Sequence, residues 1–285
     1  MASIQQDPAS QLPTPAYFSN LAASYSRQTA NTTAILFANA LREIQSSRTP
    51  ISSSSTVHDI AAGPGTATSV LLAQDPPIRP RRVLISDNNV PMVAAARESF
   101  SKIDDVEIEC KELSASELSS LPDAAFSHCI INFSIFVIPD PVAAVREMYR
   151  TLIPDGGLAV ITTWKRFGLN VVIRRAQALL RPDLPPMPMP GPRFCEEGYL
   201  PSVVASGGFD ENHIEVSELT LVAEKGERLD RLREFCLGDF SLRAKQGLSE
   251  DEVSRWPDAV ERAITEEVEQ WGGIKFEAWA VLASK

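Results

Sequence analysis

Apolar and polar residues alternate in short blocks through the middle of the chain, and each block predicts one element. Five short apolar runs predict strands, and three segments with apolar residues every three or four positions predict helices between them. In order they are TVHDIAA, a helix over Thr66 to Gln74, RRVLISD, a helix over Pro91 to Lys102, VEIECK, FSHCIINF, a helix over Pro141 to Leu152, and GLAVITTW. Short strands mostly separated by helices predict a doubly wound, mainly parallel α/β sheet.

The flanking segments extend this sheet and predict a helical cap. HIEVSELTLVA and IKFEAWAVLAS add two strands, and the second carries apolar residues on both faces, as does a strand covered on both sides. Residues 1–14 are rich in Pro, Gln and Ser and are expected to form a flexible tail. We therefore expect one domain over residues 15–285, with helical cap segments at about 15–48, 166–195 and 226–271.

Composition narrows the classes of partner. A net charge of -10 and a pI near 4.9 argue against a surface for polyanions, so we expect no nucleic-acid partner. The sequence has no apolar run of about 18 residues and no signal-peptide pattern at its start, which predicts a cytoplasmic protein without a membrane partner. The four cysteines are widely spaced, so we expect reduced thiols and no metal site.

The stretch VHDIAAGPGTAT carries the first candidate chemistry. Gly63 and Gly65 follow an apolar strand and open a helix, so backbone N–H groups there can approach a ligand closely. A dinucleotide fingerprint would place a third small residue where Thr68 stands, and the match fails at that position. Two readings stay open on this stretch: a cofactor turn, or an ordinary strand-to-helix turn with a buried Asp59 capping it.

The next predicted strand ends at Asp87, 22 positions after Gly65. A carboxylate at the carboxyl end of that strand can accept both hydroxyl protons of a ribose. Both NAD and S-adenosylmethionine (SAM) carry that ribose, so Asp87 by itself does not distinguish them.

Two motifs favour SAM. D-x-A-x-G-x-G, from Asp59 to Gly65, resembles the first motif of class I SAM-dependent methyltransferases, and RTLIPDGG resembles their R-x-L-x-P-G-G turn with Asp155 inserted. In that second turn the signature residues are Arg150, Leu152, Pro154, Gly156 and Gly157. AYFSNLAASY, TTWKRFG and EAWAVLASK are further similar to fungal small-molecule methyltransferases of the gliotoxin thiomethyltransferase type. The motifs span roughly residues 57–164.

The resemblance implies a Rossmann-like seven-stranded sheet, SAM as cofactor, and methyl transfer to an O, N or S atom of a small secondary metabolite. It also implies cofactor-binding positions. The methionine portion is expected to contact Asp59, Ala61, Gly63 and Gly65, and Tyr25 is expected to cover its carboxylate. The ribose is expected at Asp87, and the adenine near Asn88, Met92 and Ser114 or Ser116. Asn132 and Phe133 are expected at the end of strand four, where the methyl group faces the acceptor.

The binding site for the methyl acceptor is predicted from aromatic residues after strand five and in the cap segment 226–271 before the last strand, which we call the helical insertion. The expected lining is Trp164, Phe167, Phe194, Phe235 and Phe240, with Trp256 near them and Tyr17 from the N-terminal segment. The alternative is that these rings belong to the core and only pack helices together. His58, His128 and His213 lie at or near strand starts or inside strand one and are expected to be structural. The possible bases are Tyr17, Tyr199, Glu196 and Glu197, but such residues are common on surfaces, so no general base is assigned. The competing functions are an NAD-dependent oxidoreductase and a SAM-binding protein that cyclises its substrate or regulates a partner.

Overall fold

The structure, a computed structural model, describes residues 30–285 and contains a seven-stranded sheet. The strands are β1 (Thr56–Ile60), β2 (Arg82–Asp87), β3 (Glu107–Glu112), β4 (His128–Asn132), β5 (Leu158–Arg166), β6 (Ile214–Glu224) and β7 (Gly273–Ser284). Their order is β3-β2-β1-β4-β5-β7-β6, with β1 to β5 paired in parallel and β7 antiparallel to both neighbours. The predicted α/β fold, a Rossmann-like and mainly parallel sheet of seven strands, is confirmed.

Helices cover both faces of this sheet. They are α1 (Thr32–Ser46), α2 (Thr66–Leu72), α3 (Val90–Ser99), α4 (Pro141–Thr151), α5 (Gly168–Leu180), α6 (Tyr199–Ser206), α7 (Glu227–Leu237), α8 (Glu250–Ser254) and α9 (Trp256–Trp271). The larger core cluster unites residues of α1, α2, α5, α7 and α9 with one face of the sheet, which we call the first face. The smaller cluster unites α4 and α6 with the opposite, second face.

Burial explains why the apolar runs form these strands. Four of the five residues of β1 are buried, and so are five of the six residues of β2, as is typical of parallel strands covered on both sides. β7 is buried along nearly its whole length although it lies antiparallel, because β5 and β6 flank it and helices cover its faces. By contrast β6, at the sheet edge, is mostly exposed or half-buried, and within it Leu219 and Ala223 are buried.

The predicted helical segments are more broken than the sequence pattern indicates. Residues 226–271 form three helices and a 3-10 turn, because Gly238 and the segment 242–249 interrupt them. Ser249 restarts the chain as a helix by a capping box with Glu252, in which each side chain accepts a backbone N–H of the other residue. Only the part of the first cap segment from residue 30 onward is described.

The order of the strands also determines where a ligand can bind. β1 pairs with β2 on one side and with β4 on the other, so the direction of winding reverses between β1 and β4. Ligands of doubly wound sheets bind in the crevice outside the carboxyl ends of the strands at such a point. The turn after β1 and the residues after β4 therefore form the candidate site.

Candidate cofactor and acceptor site

The turn after β1 brings the chain close to the switch point in left-handed backbone conformations. Ala61, Gly63 and Gly65 have φ angles of 48°, 57° and 83°. A Cβ atom on Gly65 would lie 2.5 Å from Cε2 of Phe100, so only glycine fits there without displacement of that ring. The non-glycine Ala61 is strained at such a φ, and strain of this kind concentrates at ligand sites.

Asp59 is the buried anchor of this turn. Its side chain is fully enclosed, and Oδ2 accepts hydrogen bonds from the Thr68 backbone N–H at 3.0 Å and from its hydroxyl at 2.7 Å. Oδ1 has no hydrogen-bond partner within residues 30–285. Burial raises the pKa of Asp59 to about 7, against the bonds from Thr68, which lower it. Asp59 therefore holds the start of α2, and its contact with the methionine portion stays a prediction.

Thr68 takes on a role that the sequence pattern did not reveal. As a sequence position it only violated the dinucleotide fingerprint. In the structure the hydroxyl and the backbone N–H of Thr68 both donate to Asp59. Thr68, where the fingerprint requires a small residue, therefore links strand β1 to helix α2. The spacing of nine residues between an acidic and a hydroxyl side chain across one turn is the signal that could have identified the pair.

Asp87 lies at the carboxyl end of β2 beside the same turn. Oδ2 accepts the N–H of Gly63 at 2.8 Å, and Oδ1 accepts the N–H of Asn89 at 2.9 Å. Burial raises the pKa of this carboxyl group, while the backbone bonds lower it. A carboxylate has about four acceptor positions, and the backbone N–H groups do not occupy all of them, so acceptor capacity remains for a ligand hydroxyl. This geometry suits the ribose that the sequence places here.

The predicted adenine residues lie around Asp87. Asn88 is exposed next to it, and Met92 is buried in α3 with its Sδ 3.7 Å from where a Cβ of Gly63 would lie. Ser114 is exposed and follows Leu113, whose N–H binds the Asp87 carbonyl oxygen at 3.0 Å. The structure thus places Asn88 and Ser114 beside the end of β2 and Met92 beside the turn, and their contact with adenine stays a prediction.

The end of β4 carries a linked set of polar groups. Phe133 has a φ of 52°, and its N–H binds Thr162 on β5 through the hydroxyl at 3.0 Å and the carbonyl oxygen at 3.2 Å. The same hydroxyl donates to Oδ1 of Asn132 at 2.7 Å. Thr162 was not among the residues predicted from sequence, because its role depends on the register that pairs it with Asn132.

Aromatic rings continue from Phe133 into the helical insertion. Trp164 lies between Phe133 and Phe167, with ring centroids 4.2 Å and 4.8 Å away, and Phe167 contacts Phe240 at 6.0 Å. Phe240 in turn contacts Phe235 at 4.8 Å. We call these five residues the aromatic row. Four of them were predicted to line the acceptor pocket, and Phe133 was predicted beside the cofactor.

The remaining predicted residues lie elsewhere. Phe194 belongs to the core cluster of the second face and packs edge-on against Tyr199 at 4.9 Å, because its 3-10 turn faces α6. That position separates it from the aromatic row, in contrast to the expectation of one shared pocket. Trp256 is buried between α9 and α7, where its Nε1 donates to the Cys236 carbonyl oxygen. Tyr17 and Tyr25 lie outside the described residues.

The second motif is a structural turn into β5. The Arg150 guanidinium binds Asp123 at 2.5 Å, Glu147 at 2.8 Å, and the carbonyl oxygens of Leu118 and Leu121. It thereby fastens the loop before β4 to helix α4. The inserted Asp155 adopts a φ of 53°. None of these groups belongs to the switch-point crevice.

The groups around the crevice fit SAM. Left-handed glycines open the turn, a buried carboxylate with unused acceptor positions stands at the end of β2, and apolar Met92 lies between them. These features match a ligand with a diol, a flat apolar base and a close approach to backbone N–H groups. Within residues 30–285 no helix is long and apolar enough to cross a membrane.

Comparison with known proteins agrees with this geometry. Residues 58–160 match the family described as "Methyltransferase domain". Demethylmenaquinone methyltransferases of Listeria monocytogenes and Listeria welshimeri are each 38% identical over 72 residues, which cover 25% of this chain and 30% of theirs. The matched segment thus spans less than a third of the length of these relatives.

Solved structures extend the likeness in fold to most of the chain. A protein described as a methyltransferase of an antibiotic biosynthesis pathway in Anabaena variabilis is 16% identical, with a TM-score of 0.54, over 85% of this chain and 96% of its own. One described as the methyltransferase partner of a methyltransferase activator from Haloferax volcanii is 17% identical, with a TM-score of 0.53, over 94% and 97%. The chain has the fold of class I SAM-dependent methyltransferases, its residues 58–160 match the methyltransferase domain family, and the findings support SAM as its cofactor.

Proposed function

We propose that this protein transfers the methyl group of SAM to an O, N or S atom of a small metabolite with an aromatic or similarly apolar body. The observation that carries the proposal is the continuity of the aromatic row with the cofactor edge. Phe133 directly follows β4 at the switch point, and its ring lies 4.2 Å from that of Trp164. An acceptor that packs against this row would have its reactive atom at the end of β4.

In this proposal the protein contributes mainly by aligning SAM with the acceptor. When bound, SAM supplies a methyl group already activated on a sulfonium; the acceptor lone pair forms the new bond to carbon, and the electron pair of the broken bond stays on sulfur. The acceptor proton leaves to water. Holding the two reactants in line accounts for much of the rate in such a displacement. His58 and His128 are buried and hydrogen-bonded, His58 to the Ser86 hydroxyl and His128 to the Thr49 carbonyl oxygen, so we assign neither as a base.

The proposal of a small-molecule acceptor draws on relatives as well. The similar Listeria proteins are named for demethylmenaquinone, and the Anabaena protein for an antibiotic biosynthesis pathway. We extend this class of acceptor to the present chain, together with a role in secondary metabolism, a cytoplasmic location and an acceptor preference of the gliotoxin thiomethyltransferase type. Nucleic acids are not among the proposed partners because the net charge is -10. Membranes are not proposed because the sequence has no apolar run of about 18 residues.

Two measurements test this function. Calorimetric titration with SAM, S-adenosylhomocysteine and NADH should show binding of the first two ligands only. Incubation with methyl-labelled SAM and a panel of phenols, thiols and aromatic amines should then yield labelled products. NADH binding alone would support the oxidoreductase that the turn leaves open. Binding of SAM without transfer to any acceptor would support a non-methylating cyclase or a regulatory protein.

A further inference from the structure

Thr162 has a fully buried hydroxyl that links β4 to β5. The residue is 0% exposed, and the hydroxyl lies 3.0 Å from the Phe133 backbone nitrogen and 2.7 Å from Oδ1 of Asn132. Asn132 and Thr162 are direct neighbours in the register of the two strands. The hydroxyl therefore joins two groups that both stand at the end of β4.

This arrangement determines which way the Asn132 amide points. The Phe133 N–H can only donate, so the hydroxyl accepts from it and has one proton of its own to give. Within the described part of the chain the acceptor for that proton is Oδ1 of Asn132. Exchange of the amide oxygen and nitrogen would leave the buried hydroxyl proton without an acceptor, at a cost in free energy. The Nδ2 group is therefore held on the other side of the amide.

The Nδ2 group has no hydrogen-bond partner within residues 30–285. Asn132 is half-buried, and its Nδ2 atom is not among the fully buried atoms that lack a partner in this part of the chain. Nδ2 is therefore accessible to solvent. The amide stands on the first face of the sheet, because alternation along β4 places Asn132 on the side of Ile130, which lies in that core cluster. Trp164 of the aromatic row lies on the same face, two residues beyond Thr162.

From this geometry we infer that Asn132 binds the acceptor directly, with Nδ2 donating a hydrogen bond to the anionic oxygen or sulfur that receives the methyl group. Thr162 is the positioning residue that holds the amide in this orientation. A group that only donates requires a partner with a lone pair, and a hydrogen bond to a phenolate or thiolate favours the deprotonated acceptor. The acceptor could then lose its proton without a protein base. The inference rests on the proposed function.

The test uses S-adenosylhomocysteine and two flat probes that differ in one oxyanion. The complex of the full chain with S-adenosylhomocysteine is titrated with 4-nitrophenolate and, separately, with nitrobenzene. The wild-type chain should bind the phenolate about 10- to 100-fold more tightly than nitrobenzene, as expected for a hydrogen bond to a charged group. Asn132→Leu and Thr162→Val should lose most of this preference with little change for nitrobenzene. Thr162→Ser, which retains the hydroxyl, should keep it.

Each outcome has a definite meaning. Equal binding of the two probes to the wild-type chain, failure of the phenolate to bind, or a preference that survives in Asn132→Leu overturns the inference. If Asn132→Leu instead weakens S-adenosylhomocysteine alone, the partner of Nδ2 is the cofactor carboxylate and the inference is wrong. If the wild-type chain does not bind S-adenosylhomocysteine, the proposed function itself fails, and the inference falls with it.

Discussion

Asp87 holds the turn after β1 in place and is also the residue predicted to bind the ribose. Its two oxygens each accept one backbone N–H, which ties the turn after β1 to the end of β2. The hydrogen-bond acceptor positions that remain on this carboxylate are available to a ligand in the crevice only if the turn keeps its shape. We therefore expect loss of the charge to affect the turn and, with it, binding of the ribose.

Replacement of Asp87 by asparagine should weaken binding of S-adenosylhomocysteine by about 10- to 100-fold, because one acceptor oxygen becomes a donor. Isothermal titration calorimetry measures this loss. Asp104→Asn, at an exposed aspartate in the loop before β3, is the matched control and should bind like the wild-type chain. Unchanged affinity in Asp87→Asn would remove the carboxylate from the ribose site.

Asp59 makes the stability of the fold depend on pH. Its pKa rises from 3.8 to about 7 on folding, so the folded state holds the proton more tightly than the unfolded state between these values. The resulting stabilisation is complete below the unfolded pKa and is lost as the pH rises through about 7.

The wild-type free energy of unfolding should accordingly fall, by a few kcal/mol at most, relative to that of Asp59→Asn between pH 5 and pH 8. Urea denaturation of both proteins at the two pH values measures the difference. Asp104→Asn should follow the wild-type curve. Parallel pH dependence in wild type and Asp59→Asn would show that Asp59 titrates normally.

At the scale of the elements, the turn into β5 depends on a missing side chain at Gly157. A Cβ atom on Gly157 would lie 2.4 Å from the carbonyl oxygen of Ile153 and 2.9 Å from Cβ of Leu152. Gly157→Ala should therefore lower the free energy of unfolding by about 1–3 kcal/mol, as overpacking does elsewhere.

Gly238→Ala provides the control for that substitution. Its Cβ would meet only carbonyl oxygens, at 3.4 Å and 3.6 Å, and its φ of -79° suits any residue. Stability should change little there. Chemical denaturation measures the free energy of unfolding of both variants. An equal loss in the two would mean that replacing any glycine has this effect, and that the close approach at Gly157 is not the cause.

In the molecule as a whole, the helical insertion and the sheet share one core. The larger cluster runs from α1 through the first face of the sheet to α7 and α9. Trp256 joins α9 to α7 through its hydrogen bond to the Cys236 carbonyl and is 2% exposed, whereas Trp271 on the same helix is 39% exposed. We therefore expect the insertion to unfold together with the sheet.

Trp256→Ala should lower the free energy of global unfolding by about 3–5 kcal/mol, and Trp271→Ala by far less. Urea denaturation followed by far-ultraviolet circular dichroism measures both losses. Hydrogen exchange of β5 amides should accelerate in Trp256→Ala to the same extent as exchange in α7. A separate early transition, with β5 protection unchanged, would show that the insertion unfolds independently.

The sequence predicts the sheet and the cofactor edge more fully than the acceptor side. Apolar runs identified all seven strands, and Gly63, Gly65 and Asp87 could be located because they lie at or shortly after the carboxyl ends of β1 and β2. The partnership of Asn132 with Thr162 could not be predicted, since it depends on the register of strands thirty residues apart. Phe194 shows the same limit, because ring content alone does not tell which face of the sheet a loop covers.

The position of β7 has a consequence for biosynthesis. This strand, Gly273–Ser284, lies between β5 and β6, although both of these leave the ribosome before it. Until it inserts, β5 presents an unpaired edge next to the cofactor crevice, and β6 has no partner strand at all. The parallel half of the sheet can form during synthesis, but the nascent chain must keep a gap of one strand open. Exposed edges of this kind pair with other chains, so we expect this interval of synthesis to carry the greatest risk of aggregation.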